Sequence, residues 1–396
     1  MSRFQSRCYV YHSPGDVRLE CWDLECGSTD IMLRIDVCGR CGTDRRIFRK
    51  GHRRVRTPAV LGHELVGRVV EVGKRVAQLR DGIGYLEGQK LDTRRLEFRE
   101  GQRVTVQGRV AQHRDGLMLM KDPIQNLSFH IPGAYAQHMK VPAEMIRAGA
   151  VLAVPESVSD EEAALTEPAA CALESIFATP HAVGVDRDGR HLVRNGIKQG
   201  GRTLILGSGT LAMVYGKLAT IDGAAEVTFL VRSPAKADLL PRLLGDWLRV
   251  RIVPGYSDRP LPEKLEIEAE LEKELEEATG GELFDDVILA CSSLDAQRLM
   301  FRLLNPYGYA VAACFGGVQE PSQSAEVDLL HYRIGKAVGT SGCSTRTMET
   351  ILNWLEIGKL SLEGLVCAHH YTLDDDPAEF FTTKADGRKP MLYPWE

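Results

Sequence analysis

Cys38 and Cys41 stand three positions apart, and Gly62-His63-Glu64 follows with its histidine 22 residues after Cys41. Thr166-Glu167-Pro168 adds a further carboxylate where a helical run begins. Thiolate, imidazole and carboxylate are the donor types that hold zinc. Three chemistries compete for the CxxC. A thioredoxin-like redox pair belongs at the start of a helix in a βαβ unit, and this pair lies in a β-rich stretch. Half of a structural four-cysteine zinc site needs a second close pair. Cys21 and Cys26 have the wrong spacing, and no cysteine occurs between Cys41 and Cys171. The third chemistry is a catalytic zinc, which takes three protein ligands and keeps one position open for water or substrate.

A second signal lies in the middle of the chain. Thr203–Leu206 reads as a strand that runs into Gly207-Ser208-Gly209-Thr210-Leu211-Ala212 and then into an apolar helical stretch. This is the G-x-G-x-x-A form of the dinucleotide fingerprint. Gly207 permits the turn, Gly209 admits the pyrophosphate, Ala212 keeps helix and strand close, and the helix N-terminus supplies N–H donors. An acid that binds the ribose 2′-hydroxyl of NAD belongs at the end of the next strand. Here that place holds Val231, followed by Arg232 and Ser233. A guanidinium and a hydroxyl suit a 2′-phosphate, so the expectation leans to NADP over NAD.

The elements that position these residues follow from patterning. The first 150 or so residues read as β-rich, with runs such as Ile31–Val37, Leu65–Val72 and Arg103–Val106 punctuated by glycine. Ala77–Arg99 is polar and reads as a surface excursion. Ser159 and Glu162 form a capping box ahead of a helix, and Pro180–Gly201 reads as a connector. Six short apolar runs follow: Thr203–Leu206, Glu226–Val231, Arg249–Val253, Asp286–Cys291, Tyr309–Phe315 and Lys336–Gly339. With helices between them they predict a parallel sheet covered on both faces. Residues 263–277 carry eight Glu and two Lys and read as a solvated helix. Thr345–Ile357 reads as another helix.

Composition fits this picture. The chain has 396 residues, 44% hydrophobic and 26% charged, enough for two or three domains and wrong for a disordered chain. A net charge of −5 disfavours general nucleic-acid binding. No apolar run reaches the ~20 residues of a membrane span, and the first residues carry no secretory apolar core. Ten cysteines in so long a chain do not make a disulfide scaffold; a reducing cytoplasm with free or metal-bound thiols is expected.

In combination, Cys41-Gly42-Thr43-Asp44, Gly62-His63-Glu64, Glu71-Val72-Gly73, Gly133-Ala134-Tyr135-Ala136, Glu167-Pro168 and the 207–212 loop resemble the zinc-dependent medium-chain dehydrogenases/reductases. The resemblance covers nearly the whole chain in the right order. It is greatest to the polyol, sorbitol and threonine dehydrogenase branch, where a glutamate replaces a cysteine as third ligand. The connector with Gly184, Gly189 and Gly196 is also similar to sugar-phosphate reductases of the L-sorbose-1-phosphate type.

The resemblance implies an α/β fold: a GroES-like β-rich catalytic domain over 1–177 and 340–396, interrupted by a doubly wound Rossmann domain over 178–339. It implies zinc on Cys41, His63 and Glu167, with Glu64 beside the metal as water partner or alternate ligand. Asp44 would orient His63, and Thr43 would hydrogen-bond the substrate oxygen and begin its proton relay. Gly207, Gly209, Thr210 and Leu211 would hold the cofactor, with Arg232 and Ser233 on its ribose. The substrate would be a secondary alcohol or ketone of the polyol, sugar or sugar-phosphate class, and the assembly a homodimer or homotetramer.

Two departures stand out. The four cysteines of the family's structural zinc lobe are absent, so one catalytic zinc per chain is expected. The relay histidine two positions after the Cys-Gly-Thr-Asp string is replaced by Arg46, which cannot pass a proton at neutral pH. Cys38 matches no ligand position and is expected to be a buried thiol. Residues 45–56 hold Arg45, Arg46, Arg49, Lys50, Arg53, Arg54 and Arg56 with no acid among them. This segment is either a clamp for an anionic substrate, with Arg46 foremost, or a solvated loop or subunit contact. Two other functions share the fold: a zinc-free quinone or enone reductase, which would lack the Cys/His/Glu set, and a non-catalytic nucleotide sensor, which metal-dependent turnover would exclude.

Overall fold

The computed structural model describes residues 2–79, 97–110, 112–114, 117–119, 125–253, 258–306, 310–314, 327–383 and 386–396. The chain forms two compact units, Met1–Ala170 with Cys343–Glu396, and Cys171–Gly342. The first break falls inside the continuous helix Thr166–Phe177. Among the described residues no helix is long and apolar enough to cross a membrane.

The first unit is built on a seven-stranded sheet. Ile31–Gly39 lies at its centre, flanked by Glu64–Val72 on one side and Lys389–Leu392 on the other. Ile31, Leu33 and Ile35 alternate along the central strand and enter one core with Tyr9, Val69, Val104, Tyr135, Phe380 and Phe381. The register matters for chemistry: Gly39 pairs with Glu64 across one edge and with Met391 across the other. A Cβ on Gly39 would stand 2.6 Å from Glu64 Oε2, so the absent side chain makes room for that carboxylate. Helix Gly42–Lys50 follows the central strand directly.

The second unit is a six-stranded, all-parallel sheet in the order Arg249–Ile252, Glu226–Val231, Arg202–Leu206, Asp286–Leu289, Val311–Cys314, Lys336–Gly339. This is the doubly wound order, with its switch point beside Arg202–Leu206. Leu204, Leu206, Leu230, Val287, Leu289 and Ala312 form its core with Leu303 and Leu304. All six strands arise within the runs that the sequence marks, to within a residue or two at the ends. Tyr309 and Phe315, the ends of the fifth run, lie outside the described residues, as do residues 80–96 of the expected polar excursion.

The helices agree as well. Ser159 caps Asp160–Ala164 by accepting from Glu162 N, and Ser344 caps Thr345–Glu356.

Two segments differ from what the sequence predicts. Pro180–Gly201 is not an open connector: Pro180–Val185 and His191–Asn195 pair antiparallel as a hairpin. Its turn holds Asp188-Gly189 with Gly189 at φ +77°, and apolar side chains flank it on both strands. The acidic run, on helix Leu261–Ala278, is not wholly solvated. Glu268 is fully buried against Arg298, and Glu272 bridges Arg302 and Arg333.

Candidate metal centre and dinucleotide turn

Cys41 is the N-cap residue of Gly42–Lys50, and its Sγ accepts from Thr43 N at 3.4 Å. The sulfur thus stands at the positive end of the helix. His63 enters on the short loop before Glu64–Val72, and that loop folds through Gly62 at φ +97°. A Cβ on Gly62 would stand 2.7 Å from the Tyr135 ring, so this turn admits only glycine. Donor atoms of Cys41, His63 and Glu64 all lie within 4.8 Å of one another. Tetrahedral zinc sets its donors roughly 3.3–3.8 Å apart at ordinary bond lengths. One thiolate, one imidazole and one carboxylate thus converge at nearly the spacing such an ion requires.

The surroundings hold the imidazole in one orientation. His63 Nδ1 lies 3.3 Å from Ser128 Oγ and 3.7 Å from Asp44 Oδ1. Asp44 is fully buried; its Oδ2 accepts from Tyr135 Oη at 2.6 Å, while Oδ1 has no hydrogen-bond partner. With Nδ1 turned to this acceptor, Nε2 remains for a metal. Burial alone would push the His63 imidazolium down, but the charges of Asp44, Cys41 and Glu167 outweigh it and raise the group well above its ordinary value. Burial raises the Asp44 carboxyl, against the opposing effects of His63 and Tyr135. A divalent cation beside Cys41 and His63 would compensate this buried negative charge.

Glu64 is more constrained than the sequence suggests. Its carboxylate receives Lys389 Nζ at 2.7 Å on Oε1 and 2.6 Å on Oε2, and both side chains are buried. Lys389 therefore competes with a metal for the same oxygens. Glu167 is not within the Cys41–His63–Glu64 group; a carboxylate oxygen of it lies within 4.8 Å of the Cys343 thiol. It is near enough for its charge to act on His63 and Lys389. Cys38 is a buried thiol whose pKa burial pushes well up, as the sequence leads one to expect.

The sequence assigns no role to Lys389, Tyr135 or Ser128, although Tyr135 belongs to Gly133-Ala134-Tyr135-Ala136. Nothing in the sequence ties Lys389 to Glu64, 325 positions away.

Within the second unit, Gly207 follows strand Arg202–Leu206 at φ +139°, and a Cβ there would meet the Ala290 carbonyl oxygen at 2.9 Å. Gly209 is the N-cap of helix Thr210–Asp222, with Thr210 and Ala212 buried and Leu211 half-buried in its first turn. A Cβ at Gly209 would meet nothing within 4 Å, so the surface over the helix N-terminus is open to a phosphate. Arg232 is exposed just past Glu226–Val231, and its charge reaches the Cys291 thiol. Ser233 is the N-cap of the next helix, and its hydroxyl makes no capping bond.

The basic segment spans Gly42–Lys50 and the loop after it. Arg45 and Arg46 are half-buried, and Arg49, Arg53, Arg54 and Arg56 are exposed. Burial and then Arg49 lower the Arg45 guanidinium, whose Nε is buried without a partner. Burial, then Arg46, Arg54 and Arg53, lower His52.

Residues 27–155 match the family model of the alcohol dehydrogenase GroES-like domain. The chain is 23% identical over 375 residues to sorbitol dehydrogenase from Halalkalibacterium halodurans, covering 93% of this chain and 92% of that one. It is 26% identical over 227 residues to L-threonine 3-dehydrogenase from Chelativorans sp., where the match spans 55% of this chain and only about half, 54%, of the relative. Among solved structures, a zinc-binding dehydrogenase from Sinorhizobium meliloti bound to NADP superposes with a TM-score of 0.76 at 19% identity, over 99% of this chain and 100% of that one. That last likeness is one of fold.

Proposed function

We propose, for a chain that belongs to the zinc-dependent medium-chain dehydrogenases/reductases, an NAD(P)-dependent alcohol dehydrogenase that interconverts a secondary alcohol and a ketone of the polyol, sugar or sugar-phosphate class. The observation that carries this reading is the convergence of Cys41, His63 and Glu64. A zinc-free reductase has no use for such a donor set. Cys41, His63 and Glu167 would hold the ion, with Glu64 as alternate ligand. Bound there, zinc supplies Lewis acidity toward the substrate oxygen.

The remaining work falls to the protein's own groups. Asp44, itself held by Tyr135, keeps His63 in the tautomer that presents Nε2. The Thr43 hydroxyl accepts the proton of the substrate alcohol. Arg46 cannot carry that proton onward, so a water takes the next position. Gly207, Gly209, Thr210 and Leu211 seat the cofactor pyrophosphate on the helix N-terminus. Arg232 and Ser233 bind a 2′-phosphate, which favours NADP; the NADP carried by the Sinorhizobium meliloti neighbour supports this choice. Among the described residues no carboxylate pairs with Arg46, Arg49, Arg53, Arg54 or Arg56. These unneutralised guanidinium groups favour a phosphorylated substrate. The working assembly is a homodimer or homotetramer.

A paired turnover assay tests the reading. Zinc-loaded protein is given polyols and ketoses with and without a terminal phosphate, each with NAD(H) and NADP(H). Zinc-dependent turnover of phosphorylated substrates with NADP(H) is expected. Turnover that survives complete zinc removal would overturn the zinc reading, and equal rates on neutral polyols would overturn the phosphate preference.

A further inference from the structure

Ser128 holds a backbone conformation that its residue type does not favour. Its φ is +72°, in the left-handed region where glycine, asparagine and aspartate are the usual residues. Leu283 and Ile334 are the other non-glycine residues with positive φ among the described ones, and of the three only Ser128 hydrogen-bonds a residue of the Cys41–His63–Glu64 cluster. The loop around it over-determines the backbone, which is the condition for such a conformation to persist. Strand Gln125–Asn126 pairs with Arg109–Val110, and Asn126 O then accepts from Phe129 N at 3.3 Å, His130 N at 3.0 Å and Ile131 N at 3.1 Å. Ser128 N donates to Ile131 O at 2.9 Å, and Leu127 N to Gly108 O at 2.9 Å. Gly108 in turn lies against His63: a Cβ there would stand 3.4 Å from His63 Cβ. The loop is thus tied to the same backbone that His63 packs on.

The side chain accounts for the choice of residue. Ser128 is buried, and among the described residues its hydroxyl has one hydrogen-bonding partner, His63 Nδ1 at 3.3 Å. Asp44 Oδ1 stands 3.7 Å from the same nitrogen, too far for a hydrogen bond. Two tasks are thereby separated. A serine hydroxyl donates as readily as it accepts, so by itself it tolerates either imidazole tautomer. The Asp44 carboxylate is an acceptor only when ionised, and its charge favours the proton on Nδ1. Ser128 Oγ then receives that N–H at shorter range and fixes the rotation of the ring. Glycine would meet the backbone requirement with less strain, but it would leave the Nδ1–H facing a carboxylate it does not reach.

We propose that Ser128 is a positioning residue of the metal centre: its hydroxyl accepts from His63 Nδ1–H and sets the direction in which Nε2 points, while Asp44 sets the tautomer. The inference rests on the reading of His63 as a zinc ligand through Nε2. It gives the left-handed backbone at position 128 a purpose, since the strained conformation is what brings the hydroxyl to Nδ1. Stability and metal affinity should therefore separate when the residue is changed.

The experiment compares wild type, Ser128→Gly and Ser128→Ala as full chains. Zinc affinity is read by chelator competition, and the fold by the thermal midpoint of the metal-free protein. Ser128→Gly is expected to melt above Ser128→Ala, because glycine relaxes the positive φ and alanine does not. Zinc affinity is expected to ignore that order and to fall about 10-fold or more in both variants. Histidine-selective nitrogen-15 spectra of the zinc-loaded proteins give a second readout: the His63 Nδ1–H resonance should be sharp in wild type and shifted, or lost to exchange with water, in both variants. Zinc affinity unchanged in both variants overturns the proposal, and so does an Nδ1–H resonance that neither variant moves. Affinity that follows the midpoints, kept in Ser128→Gly and lost in Ser128→Ala, also overturns it, because the residue would then act through the fold alone. A wild type that retains no zinc overturns the zinc reading itself, and the proposal with it.

Discussion

Lys389 Nζ lies 2.7 and 2.6 Å from the two oxygens of Glu64, and this buried ion pair sits at the edge of the Cys41–His63 cluster. It joins residues on two strands that flank Ile31–Gly39, across the gap left by Gly39. Burial works against the Lys389 ammonium, but the charges of Glu64, Cys41 and Glu167 raise it above its ordinary value, so it stays charged. Removing one partner of such a pair leaves the other charge buried and uncompensated.

Lys389→Met is therefore expected to lower the stability of the metal-free protein by about 3–5 kcal/mol. Lys389→Met combined with Glu64→Gln should recover most of that loss, because no buried charge is then stranded. Urea denaturation of the four proteins closes the cycle. Additive losses would show that the two side chains do not act as a pair.

Metal retention separates the two carboxylates. With Cys41, His63 and Glu167 as ligands, Cys41→Ser, His63→Ala and Glu167→Ala should each reduce bound zinc from about one per chain to well below one after dialysis. Glu64→Gln should keep the zinc, since Lys389 already occupies that carboxylate. Elemental analysis by mass spectrometry reads the outcome directly. Zinc lost in Glu64→Gln and kept in Glu167→Ala would exchange the roles of the two residues.

The Tyr135 phenol offers a readout of positioning. Its hydroxyl is the hydrogen-bond donor to the buried Asp44 Oδ2. Tyr135→Phe leaves that oxygen unsatisfied and should cost about 1–3 kcal/mol of stability. The Tyr135 bond lowers the Asp44 carboxyl, so its removal raises that group further and weakens Asp44 as acceptor for His63. Zinc should dissociate faster from the variant, about 10-fold or more by analogy with other lost outer partners. A chelator-competition rate measures it, and an unchanged rate would make Tyr135 a packing residue only.

How far the sequence reveals this molecule depends on how local the cause is. The parallel sheet was legible because each buried strand is a short apolar run and each crossover has its own signals. The glycine turn at 207–212 is legible because Gly207 meets a local backbone demand and Gly209 leaves the helix N-terminus uncovered. The hairpin Pro180–Val185/His191–Asn195 is less legible: Asp188-Gly189 between apolar residues signals a turn, but the density of Gly, His and Arg suggests a connector instead. The partners of Glu268 and Glu272 lie 30 and 61 positions along the chain, and that of Glu64 lies 325 away. No periodicity reports such pairings; they exist only once the strands are in register.

Arg232 and Ser233 predict the cofactor. Val231 stands where an acid would bind the 2′-hydroxyl of NAD, and the exposed guanidinium follows at once. Arg232→Ala should raise the KM for NADPH by about 10-fold or more while leaving that for NADH within about twofold. Ser233→Ala should move the same ratio by less. A uniform rise for both cofactors would mean that Arg232 acts on the shared pyrophosphate or on the fold, not on the 2′ position.

If the basic segment is the proposed clamp, it sets the substrate's charge. A sugar phosphate carries about −1.5 to −2 charges at pH 7, and Arg46 sits half-buried on the helix that Cys41 caps, where water screens it less than the exposed Arg49, Arg53 and Arg54. Arg46→Ala should raise the KM for a phosphorylated ketose by about 10-fold and leave a neutral polyol unaffected. Arg53→Ala, on the exposed loop, should change it by less than about threefold. Salt gives an independent check. Raising ionic strength should raise KM for the phosphorylated substrate alone, and less steeply in Arg46→Ala, because one of the screened contacts has gone. Equal salt responses for charged and neutral substrates would remove the segment from the substrate site and leave it as surface charge.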